Sequence, residues 1–373
     1  MAKIALLDVT VTVSYGGVQT AVWQLAYVLA QRGHSVSVIG GTGPIRPAID
    51  QPAIEVLTFP FRPRNRIPNL GTRFRKWGER LSFLARAKQS VFAQNFDWII
   101  LTKPYDFFWA QRAPGNSATR FAFMSGGTDF SWGDRYLGRY IDAWLACSHF
   151  NAWQIAAHYG HFPHVIFNGV DTAQFTPGIE QHAARRQFGF TADSVVFGFA
   201  GRLVGWKGLD YALRALVRQT SKVQLAIVGE GPAKPALQAL ARELNIEERV
   251  HFHGALPHAA LPAFYHAIDA GLFPSIADEA FGITIAEAMS CGKPVIASHI
   301  GGIPEVVGNE GNCGLLVPPA DAAALAQAMA QFVGDAGLRA TMGSAARTRI
   351  ASQFTWDMSA ARLETALGLS AAE

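Results

Sequence analysis

Cysteine is scarce in this chain. Cys147, Cys291 and Cys313 are its only three in 373 residues, and they are widely separated, without the spacing of a zinc site or a redox pair. That excludes a disulfide framework and points to a cytosolic, zinc-free protein. Long apolar runs are missing as well: no stretch reaches the roughly 18 uninterrupted apolar residues of a membrane span, and the first run, Ile4 to Leu7, stops at Asp8. Neither a signal peptide nor a transmembrane helix is expected. Also absent is the dinucleotide fingerprint Gly-x-Gly-x-x-Gly. The first strand-to-helix turn reads Ser14-Tyr15-Gly16-Gly17-Val18, and Gly40, Gly41, Thr42 and Gly43 stand where an acid would hold a ribose. A nicotinamide-dependent oxidoreductase is thereby disfavoured. Acid, finally, is almost missing from one segment: between Phe61 and Gln89, Glu79 is alone among Arg62, Arg64, Arg66, Arg73, Arg75, Lys76, Arg80, Arg86 and Lys88.

What is present is a great deal of apolar sequence, 50% of the chain, with a mild net charge of +4. That length exceeds one compact core and predicts two domains. In the first half, strands are expected at Ile4 to Leu7, Val36 to Ile39, Phe96 to Leu101, Arg120 to Met124 and Ile141 to Ala146, with helices over Gln19 to Arg32 and Phe150 to His158. A turn-rich stretch from Asn168 to Gly178 reads as the linker. The alternation then restarts, with strands at Val195 to Ala200, Val223 to Val228, Val250 to Phe252, Ala270 to Phe273 and Pro294 to Ala297. Helices fall between them at Leu209 to Val217, Ala233 to Leu244, Leu261 to Ala267 and Ile283 to Ser290, with Ala322 to Val333 beyond. The fold class is α/β, two doubly wound, Rossmann-like domains.

The most informative stretch runs from Pro274 to Gly292. Gly282 opens a short helix that Gly292 would end, so the amides around Ala280 to Thr284 are free to face an anion. Glu279 and Glu287 lie in this stretch, one in the loop facing sugar hydroxyls and one in the helix, placed to accept from a vicinal diol. Were the whole segment helical, their carboxylates would lie about 12 Å apart, too wide for a hydrolytic acid and nucleophile pair. A second motif, Gly201-Arg202-Leu203-Val204-Gly205-Trp206-Lys207-Gly208, follows the first strand of the second domain. Two cations on a glycine-punctuated loop there suit two phosphates and would neutralise a departing diphosphate. Gly16 and Gly17 let backbone approach a ligand in the first domain.

These pieces, with Gly33-His34, Asn168-Gly169-Val170-Asp171, Val228-Gly229-Glu230-Gly231-Pro232, Gly301-Gly302-Ile303-Pro304-Glu305 and Gly314-Leu315-Leu316-Val317-Pro318-Pro319 in the same order, closely resemble glycosyltransferase family 4 over nearly the whole chain. The resemblance implies a GT-B fold with two Rossmann-like domains facing a central cleft. Residues 1–172 would bind acceptor and 173–354 donor, with 355–373 packing back on the first domain as a helix, Thr355 to Leu369. It further implies a retaining, metal-independent enzyme with no cofactor beyond its nucleotide-diphosphate sugar, UDP- or GDP-linked, and the chain has no Asp-x-Asp. By the same resemblance Arg202 and Lys207 bind the diphosphate, Glu287 the ribose, and Glu279 the sugar near the backbone of Phe281, Gly282 and Ile283. The base would lie near Gly229, Glu230 and Gly231 and near His253, Gly254, Ala255 and Leu256. Many relatives carry a His after the first-domain strand that here reads Phe121 to Met124; this chain has Ser125 and Asp129 as its polar candidates.

The basic segment alternates Arg73, Arg75 and Lys76 with Phe74, Trp77, Leu81 and Leu84 at helical spacing. It suits both an anionic membrane surface and a surface helix packed on its domain. A glycan or lipid-linked acceptor at the inner face of the cell membrane, as in polysaccharide or lipopolysaccharide synthesis, is one expectation; nucleic acid is disfavoured because the charge is confined to one segment. A sugar-nucleotide epimerase of the same architecture and a non-catalytic sugar-nucleotide-binding protein remain as alternatives.

Overall fold

The computed structural model describes residues 1–14, 16–44, 53–127, 130, 133–178 and 181–369. It divides into two compact units, Met1–Asn168 with Trp356–Glu373, and Gly169–Thr355. Among the described residues the first holds strands β1 (Lys3–Leu7), β2 (Ser35–Gly41), β3 (Ile54–Phe59), β4 (Trp98–Leu101), β5 (Arg120–Ser125), β6 (Ala143–Ala146) and β7 (His164–Val165). They form one parallel sheet in the order β3-β2-β1-β4-β5-β6-β7. The second unit has β8 (Val195–Ala200), β9 (Val223–Val228), β10 (Val250–Gly254), β11 (Ala270–Phe273), β12 (Val295–Ser298) and β13 (Gly314–Val317), ordered β10-β9-β8-β11-β12-β13 and again parallel. Helices cover both faces of a parallel sheet, so the central strands are buried and their sequences are continuous apolar runs rather than alternating ones. Ile4 to Leu7 and Val196 to Ala200 show this directly.

Two elements are less legible. β3 is an edge strand whose burial never alternates cleanly, with Glu55 exposed and only Ile54 fully buried. The helix Ala336–Gln353 buries only Met342, Gly343, Ala346 and Ile350, so small residues blur its apolar face. The unit boundary falls at Asn168, four residues before the expected position. The reason is local bonding. Val170 N–H donates to the Phe354 carbonyl at 2.8 Å, and Arg347 donates to the carbonyls of Thr172 and Phe175.

The final helix, Trp356–Leu367, packs on the helix Gly17–Gln31 of the first unit. A buried carboxylate joins them. Glu364 accepts from Arg32 Nε at 2.8 Å and Nη2 at 2.7 Å, and meets His34 Nε2 at 3.0 Å. His34 Nδ1 accepts from the Ala2 N–H, so Nε2 carries the proton that Glu364 accepts. The Arg32 hydrogen bond, with burial opposing and His34 assisting, holds Glu364 below its ordinary pKa. A depressed carboxylate contributes stability above its unfolded pKa and loses it as pH falls through the folded one. Glu364→Ala is expected to cost about 2–3 kcal/mol at neutral pH, with the difference from the parent shrinking on acidification; urea melts at several pH values check both.

Candidate active site

The second sheet reverses direction at β8, whose neighbours β9 and β11 lead outward on opposite sides. Doubly wound sheets bind ligands in the crevice at the carboxyl ends of such strands. The loop Gly201–Gly208 leaves β8 there, Gly229–Pro232 leaves β9, and Pro274–Gly282 leaves β11. These loops are bonded backbone to backbone: Leu203 N–H to the Glu230 carbonyl at 3.0 Å, Ile276 N–H to Trp206 at 2.9 Å, Gly229 N–H to Gly254 at 2.7 Å, and Gly302 N–H to Glu279 at 2.7 Å. Two glycines are sterically required. A Cβ on Gly208, at φ 68°, would sit 1.9 Å from the Pro274 carbonyl oxygen, and one on Gly229, at φ 138°, would sit 1.8 Å from that of Gly201.

The frame gathers the charged groups. Lys207 Nζ pairs with the Glu279 carboxylate and also lies over the Trp206 ring, 4.4 Å from its centroid. Arg202 is exposed, and its guanidinium has no partner among the described residues. Gly282, at φ 94°, opens the helix Ile283–Ser290, and the amides of Gly282, Ile283 and Thr284 find no acceptor among the described residues. One turn in, Glu287 is buried. Its Oε1 meets His258 Nε2 at 2.7 Å and its Oε2 meets the Tyr265 hydroxyl at 3.2 Å, while that hydroxyl also lies 3.1 Å from the Thr284 carbonyl. Burial and Glu287 together push Tyr265 well up, so it remains a donor. Burial and the same carboxylate push the neighbouring Cys291 thiol up to about 12, which keeps it an inert neutral group.

The site therefore offers two cations and a row of free amides to an anion, beside one half-buried and one buried carboxylate. The family model for Glycosyltransferase Family 4 matches residues 15–174, and that for glycosyl transferases group 1 matches residues 180–349, so the two together span most of the chain. The chain belongs to glycosyltransferase family 4. A D-inositol 3-phosphate glycosyltransferase of Xylanimonas cellulosilytica is 34% identical over 209 residues, 54% of this chain and 49% of that protein. The chain thus spans about half the length of the curated relatives it matches. Among solved structures, a sucrose-phosphate synthase from Thermosynechococcus elongatus superposes with a TM-score of 0.84 at 24% identity, covering 98% of both chains. HepE of Anabaena, in complex with UDP and glucose, superposes with a TM-score of 0.83 at 24% identity, covering 99% of this chain and all of that one. The fold is GT-B.

In this family 4 chain, the structure brings Arg202, Lys207, Glu279 and Gly282 on neighbouring loops, and Ile283 and Glu287 on the helix that follows, to one sheet edge. Phe281 contributes backbone alone, since its ring is buried against Phe354 at 5.6 Å. Glu230 is paired with Lys234 at 2.7 Å, Gly254 ends β10, and Ala255 and Leu256 follow it. In the first unit, Gly16 caps the helix Gly17–Gln31. Ser125 is buried, and its hydroxyl donates to the Gly127 carbonyl at 2.9 Å. Asp129 lies outside the described residues. His258, Tyr265 and Trp206 escaped sequence reasoning because a turn histidine and two aromatics carry no spacing signal; only their contacts with Glu287 and Lys207 single them out.

The basic segment is partly internal. It forms the helix Thr72–Phe92, but Arg80 is buried between Asp8 and Asp106, and Arg64 is bound to the buried Glu79. Burial pushes Asp106 up to about 7 against the pull of Arg80. Asp8 is held down to about 2, because Arg80, Thr102, Lys103 and the Thr10 amide outweigh its burial. Arg75 donates to the Arg64 carbonyl at 2.9 Å, Lys76 lies over Tyr105, and Trp77 packs edge-on to Tyr105 and Phe108, so these three half-buried side chains also have partners within their own unit. What stays outward is Arg62, Arg66, Arg73, Arg86 and Lys88 with Leu70, Phe74 and Leu81. Among the described residues no helix is long and apolar enough to cross a membrane, and no metal-binding cluster of His, Cys, Asp or Glu is present.

The glycine frame makes a direct forecast. Gly208→Ala must move the Pro274 carbonyl or unwind the Lys207 turn, and is expected to destabilise the protein by about 2 kcal/mol or more. Thermal unfolding of the variant measures it.

Proposed function

We propose that this chain transfers a sugar from a nucleotide-diphosphate sugar, with retention and without a metal ion, to a glycan or lipid-linked acceptor. The observation that carries the reading is the meeting of Arg202, Lys207 and the free amides of Gly282 to Thr284 with Glu279 and Glu287 at one switch point. The similarity to HepE, a protein crystallised with UDP and glucose, supports UDP as donor nucleotide. The D-inositol 3-phosphate glycosyltransferases among its relatives support glycosyl transfer.

In this reading the diphosphate lies against the amides and both cations, and the ribose diol donates to Glu287. Lys207 exchanges Glu279 for a phosphate oxygen, which frees Glu279 to accept from hydroxyls of the transferred sugar. The bond from the anomeric carbon to the diphosphate breaks as the acceptor oxygen attacks the same face, and the acceptor proton passes to the leaving phosphate. Negative charge grows on that phosphate during the step, so Arg202 and Lys207 act more strongly in the transition state than in the ground state.

Thermal-shift measurements with UDP, GDP, ADP and NAD test the donor class, since a ligand of the native state raises its melting temperature by mass action. Stabilisation by one nucleoside diphosphate, lost in Glu287→Ala, is expected; stabilisation by NAD alone overturns the reading. Arg202→Ala and Lys207→Ala should each reduce turnover by on the order of 100-fold, and nucleotide release that needs no acceptor would point to an epimerase instead.

The acceptor and location belong to the same proposal. Outward Leu70, Phe74 and Leu81, 72%, 46% and 39% exposed, lie among Arg66, Arg73 and Arg86, a pairing that suits the anionic inner face of a cell membrane. Sedimentation with phosphatidylserine vesicles is expected to carry the protein down and to fail for the Arg66→Glu, Arg73→Glu, Arg86→Glu triple variant. Equal sedimentation of the two proteins would remove this part.

A further inference from the structure

Glu287 is closed to solvent, with 3% of its side chain exposed, although a ribose would have to reach it. Its two partners differ in position. Tyr265 is fully buried, whereas the His258 side chain is 35% exposed, so the solvent side of the carboxylate belongs to His258. His258 stands in the short turn His258–Ala260 between β10 and the helix Leu261–Ala267, with Phe175 edge-on to its ring at 5.1 Å. The charged and titratable groups that face it are Glu287 from the helix Ile283–Ser290, Asp171 from the segment after the unit boundary, and through Glu287 the hydroxyl of Tyr265 and thiol of Cys291.

We propose that His258 is a protonation-dependent guard on the ribose carboxylate: its imidazolium holds Glu287, and an incoming nucleoside diphosphate must take the carboxylate from it. This rests on the reading of Glu287 as the ribose-binding group. His258 is here a positioning residue, acting on the donor through Glu287. A diol presents two donors to a carboxylate, and an ionised imidazole already bound there competes for the same oxygen.

The direction of the pH effect follows. Burial disfavours a charged ring, but the hydrogen bond and charge of Glu287, with Asp171, outweigh it and raise the His258 pKa in the donor-free protein. Taking Glu287 away removes that support, so binding expels a proton from the ring to the solvent. Affinity is then full above the raised pKa and falls as pH drops through it, by about tenfold per pH unit for one released proton.

The experiment is calorimetric titration of the whole protein with UDP and with GDP from about pH 5.5 to 8.5, the range an imidazole spans, in two buffers of different ionisation enthalpy. His258→Gln, which keeps a hydrogen-bond donor and cannot titrate, is the comparison; His258→Asn replaces it should the glutamine variant melt early. The nucleotide's own phosphate ionisation is common to both proteins and cancels. The parent is expected to lose up to tenfold more affinity per pH unit than the variant on the acid side, and to release an additional proton on binding. Equal profiles and equal proton release overturn the guard while leaving nucleotide binding in place. Failure of both nucleotides to bind the parent at every pH overturns the guard together with the donor reading beneath it.

Discussion

The close approach of the loops that leave β8, β9 and β11 governs the second unit. At Gly208 and Gly229 the backbone of one loop lies where any side chain of another residue would be, and amide-to-carbonyl hydrogen bonds at 2.7 to 3.0 Å lock the loops together. Lys207 meets Glu279 because Ile276 is tied to Trp206, and Glu279 is itself held through its carbonyl by Gly302. The chemistry thus depends on contacts that involve no reactive group. Side chains attached to such a frame are held in place before any ligand arrives, which is what the proposed stabilisation of a departing diphosphate would require.

Three buried carboxylates, drawn from both units, each have at least two partners. Glu364 has Arg32 and His34; Asp8 has Thr10, Thr102 and Arg80; Glu287 has His258 and Tyr265. The difference lies in accessibility. Arg80 and Asp8 are sealed in the core, where their role is to fasten the helix Thr72–Phe92 to the loop after β1. At Glu287 one partner is a histidine with solvent exposure, the side chain whose charge changes near neutral pH. A partner that can be discharged holds a carboxylate reversibly, whereas an arginine there would hold it permanently.

Lys207 and Glu279 are paired with each other, and in the proposed reading a sugar diphosphate would take both. Each neutralises the other's charge, and each has only a modest remaining exposure, 15% and 19% of the side chain. Arg202, exposed and unpaired among the described residues, is the cation an arriving diphosphate would meet without first breaking a contact.

The central strands were legible as uninterrupted apolar runs, because a parallel sheet is covered on both faces, and the glycine-rich turns after them marked the sheet edge where the site lies. The two-unit division and the grouping of Arg202, Lys207, Glu279 and Glu287 followed from motif order. Periodicity failed at β3 and at Ala336–Gln353, where edge exposure and small residues erase the pattern. Charge counting failed in the basic segment: a row of cations does not disclose that Asp8, Asp106 and Glu79 wait to neutralise two of them. By itself, then, the sequence determined the class of fold and the address of the candidate site, since both reside in local spacing. Only the tertiary structure decided which charges are spent internally and that His258 stands over Glu287, because those pairings join residues 15 to 72 positions apart that no local pattern connects.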